Sequence, residues 1–220
     1  MTDPASRQRP LVRHAPLILA CAVFLITAGH AFLTGEPLIA GLMAAIILAA
    51  AVPRLVERLA GTRIPTSLLA MYALLLLAAP WLGTTLDLYG AWPPWDTVVH
   101  GLSGIPISLG MCFVLGLAAH HHGTVLPGWL AAVVVFTGGV TVAVLWEVAE
   151  FVSDLTIGTQ AQYDNLDTMQ DLIAGATGSA LVAVAVLLWR AHGWPSHVGR
   201  LLGEERPATT AARRPHPTSP

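Results

Sequence analysis

The most constraining feature of this chain is a long apolar stretch that carries acidic side chains but no basic ones. Between Arg63 and Arg190 there is no lysine and no arginine, whereas eight carboxylates occur there. They are Asp87, Asp96, Glu147, Glu150, Asp154, Asp164, Asp167 and Asp171. Acidic side chains near hydrocarbon are costly unless they are paired, protonated or bound to a cation. The expected partners are therefore protons, His100, a metal ion or a cationic substrate.

Composition places the chain among integral membrane proteins. Of its 220 residues, 55% are hydrophobic and only 11% are charged, whereas a soluble domain carries about 25% charged residues. All 11 basic residues are arginines in three clusters, which excludes the continuous basic face that nucleic-acid binding requires. The two cysteines lie in apolar runs and indicate neither a disulfide framework nor a zinc site.

Six segments are long and apolar enough to be membrane-spanning helices, which need about 20 residues each. They cover roughly residues 15–34, 37–55, 66–88, 97–119, 127–153 and 168–191. The predicted fold is therefore an all-α, six-span transmembrane bundle over residues 15–191. Residues 1–14 and 192–220 contain few large apolar side chains, and we expect both tails to be disordered.

The arginine distribution predicts the orientation of this bundle, because positively charged loops stay in the cytoplasm. The N-terminus, the 54–65 loop and the C-terminal tail hold every arginine. Six spans put all three on one side, so both termini are expected in the cytoplasm and the 89–96 and 154–167 loops outside. The expected location is the cell (inner) membrane. A signal peptide cleaved near residues 29–31 is the alternative for span one and would leave five spans.

Polar side chains share one helix face at the outer ends of spans four, five and six. Asp96 and His100 are four residues apart, so they lie on the same face of span four. Two more stripes follow the spacing i, i+3, i+7, namely Glu147, Glu150 and Asp154 in span five and Asp164, Asp167 and Asp171 entering span six. Because such side chains turn away from lipid, the pattern predicts an outward-facing acidic cleft.

This cleft has the chemistry of a divalent-cation site. Carboxylate oxygens suit Mg²⁺, Ca²⁺ or Mn²⁺, and an added imidazole admits zinc or iron. The predicted metal ligands are Asp96, His100, Glu147, Glu150, Asp167 and Asp171. His100 and Asp96 also form a candidate catalytic pair, a general base with its orienting partner. The simpler interpretation of Asp154 and Asp164 is that they occupy a wet loop or cap a helix, where acids cost little.

The polar positions carry a resemblance to a known family. The order is Asp-x-x-x-His from Asp96 to His100, then Trp-Glu-x-x-Glu from Trp146 to Glu150, then three aspartates over residues 164–171. Over about residues 85–190 this resembles the YjdF-like inner-membrane proteins, and more loosely the VanZ-like membrane proteins. The resemblance implies that these residues form a shared polar core, and it implies no reaction or substrate.

Three functions remain open from the sequence. The first is metal-assisted hydrolysis or transfer on an envelope or lipid substrate at the outer face. The second is proton- or cation-coupled transport, against which the lack of a charge at mid-membrane depth argues. The third is a non-catalytic membrane assembly protein in which the polar cluster is structural. The partners common to these hypotheses are the lipid bilayer and an unidentified small-molecule or lipid substrate.

Overall fold

The computed structural model describes residues 10–204, and every regular element in that range is a helix. The helices are α1 (Pro10–Arg13), α2 (Ala15–Thr34), α3 (Pro37–Ala50), α4 (Val52–Ala60), α5 (Thr66–Leu76), α6 (Leu88–Ala91), α7 (Trp95–His122), α8 (Gly128–Ile157), α9 (Asn165–His192) and α10 (Ser196–Leu201). A π-helical segment, Leu77–Thr85, continues α5.

Six helical segments within residues 10–204 are long and apolar enough to cross a membrane, which confirms the predicted all-α, six-span bundle. They are Ala15–Thr34, Pro37–Ala60, Thr66–Thr85, Trp95–His122, Gly128–Ile157 and Asn165–His192. The last three are longer than predicted. At 1.5 Å per residue the 30 residues of α8 extend about 45 Å, well beyond a hydrocarbon core of about 30 Å. The end of α8 therefore projects past the core.

The buried apolar side chains form two clusters that divide the bundle into halves. The first half packs α2, α3 and α5 around residues such as Phe24 and Met43. The second half packs α7, α8 and α9, with Cys112, Val135 and Val186 at its centre. The acidic residues of the sequence fall mainly on the second half, so its three long helices position the candidate site.

Glycines bring these three helices into close contact. A Cβ atom at Gly104 of α7 would collide with the carbonyl oxygen of Gly175 and lie 3.1 Å from the Cα of Gly178, both on α9. Gly139 of α8 faces the hydroxyl groups of Ser108 and Ser179 at the same close range. Backbones that approach this closely leave room only for hydrogen, which is why small residues mark helix interfaces in membranes.

The prediction of disordered tails is wrong for the parts that the structure describes. At the N-terminal side, α1 leads into the buried His14, and Arg13 and His14 both pair with the buried Glu57 of α4. Glu57 also accepts from the backbone N–H of Ile64 at 2.8 Å. Residues 1–9 of the predicted N-terminal tail lie outside the described residues.

The C-terminal segment also packs against the bundle. Val198 and Leu201 of α10 are buried in the second apolar cluster beside Trp189. Beyond α10, Glu204 accepts hydrogen bonds from the indole N–H of Trp189 and from Arg190. The amphipathic spacing of these apolar residues stabilises a helix where composition alone indicates none. Residues 205–220 of the predicted tail lie outside the described residues.

Candidate functional site

The predicted polar stripes meet at one end of the second half of the bundle. His100 lies on α7 one turn below Asp96, Glu147 lies two-thirds of the way along α8, and Asp171 lies in the second turn of α9. His100, Glu147 and Asp171 are all buried. Each of the three helices turns its most polar deep residue toward the other two, which agrees with the interior placement expected of polar groups in a membrane bundle.

His100 lies between carboxylates on both edges of its ring. Its Nε2 is 3.5 Å from Oδ1 of Asp96, and its Nδ1 is 3.4 Å from Oε1 of Glu147. Both separations are longer than an ordinary N–H···O hydrogen bond of about 2.9 Å. Each separation, taken alone, matches the distance of about 3.4 Å between two ligand atoms of a tetrahedral zinc ion with bonds near 2.1 Å. An ion could therefore lie at either edge of the ring.

The cluster offers two sets of three side chains that could hold a metal ion, and both sets include His100. Within each set, one ligand atom from each residue lies within 4.8 Å of the others. The first set is Asp96, His100 and Asp171, and the second is His100, Glu147 and Glu150. Five of the six predicted ligands are therefore brought together, and each set has three members, the number of protein ligands that catalytic zinc sites use.

Two buried carboxylate oxygens in this cluster have no hydrogen-bond donor. They are Oδ1 of Asp171, whose residue is 1% exposed, and Oε1 of Glu147, whose residue is 5% exposed. Leaving a buried acceptor unpaired costs about 1–3 kcal/mol, and more when the group is charged. No lysine or arginine occurs in residues 64–189 to compensate them. The cluster therefore has the electrostatic character of a cation site.

Tyr89 is a member of the cluster that sequence reasoning missed. It lies on the short helix α6 between spans three and four, and its ring packs against Gly83 of the π-helical segment. Burial raises the pKa of its phenol, as do the nearby carboxylates of Asp96, Glu150 and Asp171. The hydroxyl therefore keeps its proton at physiological pH and presents a hydrogen-bond donor to an otherwise acidic site. No sequence pattern around Tyr89 signals this position.

Gln162 and Trp146 complete the surroundings of the two glutamates. The side-chain amide of Gln162 donates to the backbone carbonyl of Glu147 at 3.1 Å and to its Oε2 at 3.3 Å. The indole N–H of Trp146 donates to Oε1 of Glu150 at 2.8 Å. The sequence showed Trp146 only as part of the Trp-Glu-x-x-Glu pattern, and it gave no sign of a role for Gln162. An uncharged donor thus forms a hydrogen bond with one carboxylate oxygen of each glutamate.

Asp167, the sixth predicted ligand, belongs to neither set. Its Oδ2 accepts from the backbone N–H of Tyr163 at 3.2 Å, while Asp164 accepts from the N–H groups of Leu166 and Asp167. Both aspartates therefore accept from backbone N–H groups around the start of α9, with Asp164 as the N-cap. The interpretation of Asp164 as a helix cap is confirmed.

Asp154 forms hydrogen bonds with the loop between α8 and α9. Its carboxylate accepts hydrogen bonds from the hydroxyl of Thr159 and from the backbone N–H groups of Ala161 and Gln162. These contacts fix residues 158–164 over the end of α8. The loop in turn places Gln162 against Glu147, so Asp154 acts on the site through the backbone.

The capping interpretation makes a prediction. Replacing the cap in Asp164→Ala should lower the free energy of unfolding by about 1 kcal/mol, because two N–H groups lose their acceptor. Because Asp164 lies outside both candidate metal sets, metal binding should not change. Thermal unfolding and metal analysis of the same preparation check both parts, and loss of bound metal in this variant would contradict the assignment.

A groove of about 650 Å³ lies beside the cluster, between α8 and α9. Apolar side chains of α8 line one part of it, and polar side chains near the 158–164 loop line the other. Its lining residues include Val144, Glu147, Val148, Phe151, Asp154, Leu155, Gln162, Asp164, Asn165, Thr168 and Leu172. We call it the α8–α9 groove. Glu147 lines the groove and also faces His100, so the two features adjoin.

These features define a class of protein, a multi-pass helical membrane protein with a buried acid–histidine cluster near one end of its last three spans. Residues 14–192 match the family of predicted membrane proteins designated DUF2238, and the chain belongs to that family. The match agrees with the resemblance to the YjdF-like proteins, whereas the looser likeness to VanZ-like proteins stays a prediction. No curated protein and no solved structure matches the chain.

Proposed function

We propose that the cluster binds one divalent metal ion and uses it for hydrolysis or group transfer on an envelope or lipid substrate. The observation that carries this proposal is the unpartnered Oδ1 of Asp171, the most buried carboxylate of the site. A buried anion without a cation is costly, and an ionised carboxylate so placed is paired or coordinates a metal.

A metal held by Asp96, His100 and Asp171 accounts for both unpartnered oxygens. The metal would take Oδ1 of Asp171 and the Nε2 edge of His100. The ring would then carry its proton on Nδ1 and donate it toward Oε1 of Glu147, the carboxylate–histidine–metal arrangement of many metalloproteins. A metal in the second set would leave Asp171 unpartnered, so the first set is the better site.

The donor set suits a metal that accepts both imidazole and carboxylate, such as zinc, manganese or iron. Such an ion lowers the pKa of bound water and polarises carbonyl or phosphoryl oxygens. Among the chain's own residues, Glu147 is the candidate proton acceptor at the border of the groove. Tyr89 is the candidate donor to negative charge that develops on a substrate. For a site without metal, His100 with Asp96 remains the candidate base.

Arginine placement supports an outward orientation of this site. Arg13 and the start of α2 lie at the same end of the bundle as Glu57 and Ile64, and Arg190 bonds the carbonyl of Leu126. The alternating helices put the acidic cluster at the opposite end. The positive-inside rule favours a cytoplasmic arginine end, and this supports an outer-face position for the cluster in the inner membrane.

Helix packing beneath the cluster favours a one-sided site over transport. The Gly104 contact with the backbone of α9 lies one turn of α7 further into the bundle than His100, and no open path fits between backbones in contact. Cation- or proton-coupled transport would need such a path toward the arginine end. A structural role in membrane assembly is the remaining alternative, and it predicts no bound metal.

Metal analysis tests the proposal directly. Protein purified in detergent without chelator should contain about one metal ion per chain by inductively coupled plasma mass spectrometry. Asp171→Asn should abolish that content, whereas Glu147→Gln should weaken affinity by about 10–100-fold, as changes around a metal-bound histidine do. The matched control is Glu150→Gln, which belongs only to the second set and should keep the metal.

Two results would count against the proposal. If Glu150→Gln loses the metal and Asp171→Asn keeps it, the ion lies on the Nδ1 side of His100 and our assignment of ligands is wrong. If well-folded wild-type protein contains no metal and binds none on titration with Zn²⁺ or Mn²⁺, the proposal falls. Proton- or cation-coupled transport then becomes the leading function.

A further inference from the structure

The α8–α9 groove has an apolar wall that faces the side of the bundle. Phe151 and Leu155 of α8 are 53% and 70% exposed, and Val148 beside them is also exposed. All three line the groove, together with Leu172 of α9. In a membrane the deeper part of this wall, near Val148 and Leu172, meets acyl chains, whereas Phe151 and Leu155 lie on the part of α8 that projects past the core.

The end of the groove near the C-terminus of α8 is polar and acidic. It is lined there by Asp154, Gln162, Asp164 and Thr168, close to the loop that follows α8. No lysine or arginine occurs in the groove lining, so its charged lining groups are carboxylates. A head that carries only negative charge would be repelled here, whereas an ammonium group would be attracted.

Glu147 joins the groove to the proposed metal site. Its Oε2 accepts a hydrogen bond from the side-chain amide of Gln162, which also lines the groove, and its Oε1 faces His100. A molecule whose head reaches Glu147 therefore lies next to the cluster. A phosphate in that head could approach the metal while an amine a few ångströms away remained among the acidic residues of the rim.

We infer that the α8–α9 groove binds a membrane phospholipid with a primary amine in its head group. The acyl chain lies against Val144, Val148 and Leu172, the phosphate points toward the cluster, and the ammonium group lies near Asp154 and Asp164. This inference rests on the proposed function, because it names the substrate class of the same site. It adds the route of approach, which is sideways from the lipid.

Native mass spectrometry of the full chain in detergent tests the inference. Phosphatidylethanolamine and phosphatidylglycerol with identical acyl chains are added in graded amounts. Wild-type protein should prefer the amine lipid by about tenfold, which corresponds to one favourable charge contact at the groove. Val148→Trp should reduce that binding about tenfold, because an indole overfills the apolar wall.

Leu145→Trp is the matched control, since Leu145 is 60% exposed on the same helix and does not line the groove. It should bind lipid as the wild type does. Equal binding of the two lipids, or equal losses in both tryptophan variants, overturns the inference. Size-exclusion profiles identify any variant that fails to fold. Val148→Ala, which removes apolar contact from the groove wall, then replaces Val148→Trp, and its expected result is weaker binding of both lipids than in Leu145→Ala.

Metal content measured on the same samples separates the two proposals. Val148→Trp should keep its metal while losing lipid, because the groove wall holds no ligand. Wild-type protein that binds metal but shows no lipid preference refutes the groove inference alone. Wild-type protein that prefers the amine lipid but contains no metal refutes the proposed function and leaves the groove assignment standing.

Discussion

Metal-free wild-type protein should be less stable than its own double variant Glu147→Gln/Asp171→Asn, and added metal should reverse that order. Without a cation, two buried carboxylate oxygens have no partner. Replacing both carboxylates by amides removes their charge, and we expect a gain of about 1–2 kcal/mol in the free energy of unfolding, typical when a functional site is neutralised. The site thus stabilises the fold only when it is filled.

The effect of metal on this comparison is larger. At a free metal concentration 100 times the dissociation constant, binding stabilises the wild type by about 2.7 kcal/mol. For a chain of this size that corresponds to a rise of about 5–10 °C in the unfolding midpoint. The double variant should show no rise. Thermal unfolding in detergent with chelator and then with Zn²⁺ or Mn²⁺ provides the four midpoints.

The matched control for this experiment is Glu150→Gln, because Oε1 of Glu150 already accepts a hydrogen bond from Trp146. It should keep the metal-dependent rise of the wild type. Equal midpoints for the chelated wild type and the chelated double variant would contradict the claim that the carboxylates are unpaired. A metal-dependent rise in the double variant would mean that the ion binds elsewhere.

Gly104→Ala should cause a large loss of stability in the bundle's second half. The new Cβ would collide with the carbonyl oxygen of Gly175 and lie 3.0 Å from the backbone N of Ser179. Because both neighbours are backbone atoms of α9, neither can rotate away, and the helices must separate. We expect a cost of about 3 kcal/mol or more, at the upper end of the range for overpacked cores.

Gly110→Ala is the control on the same helix, since no atom lies within 4 Å of its added Cβ. It should change stability by less than about 0.5 kcal/mol. Gly178→Ala probes the contact from the other side, where the Cβ would meet the carbonyl oxygen of Gly101. Unfolding midpoints in detergent compare the three variants. A Gly104→Ala protein as stable as Gly110→Ala would show that α7 and α9 are not in backbone contact.

The spans and the location of the polar cluster could be predicted from the sequence because both depend on local periodicity. Apolar runs fix the helices, and the spacing of Asp96 and His100 brings Oδ1 and Nε2 to 3.5 Å on one turn. The prediction that three helices converge used the expectation that acidic groups avoid lipid. The same stripe did not separate Asp167 from Asp171, because the bond from the backbone N–H of Tyr163 to Asp167 depends on the path of the loop before α9.

Tertiary contacts account for what the sequence did not reveal. Tyr89 reaches the cluster because α6 packs against the π-helical segment and against α7, and no periodicity encodes that contact. Glu57 falls within the predicted 54–65 loop, whose arginines indicated only its orientation, whereas the structure makes Glu57 a buried partner of Arg13. In α10 the apolar positions Val198 and Leu201 already had helical spacing, but the proline- and arginine-rich composition of the tail outweighed it.

The ligand-bearing helices have a consequence for how the protein is made. The ribosome synthesises α2 to α5 first, and these helices can enter the bilayer with few acidic groups to bury. His100 and Glu147 follow, but Asp171 arrives only with α9, the last long helix described. A nascent chain whose α9 has not yet been synthesised therefore cannot assemble the cluster. Under the proposed function, loading of the ion is a maturation step that follows insertion of the sixth span.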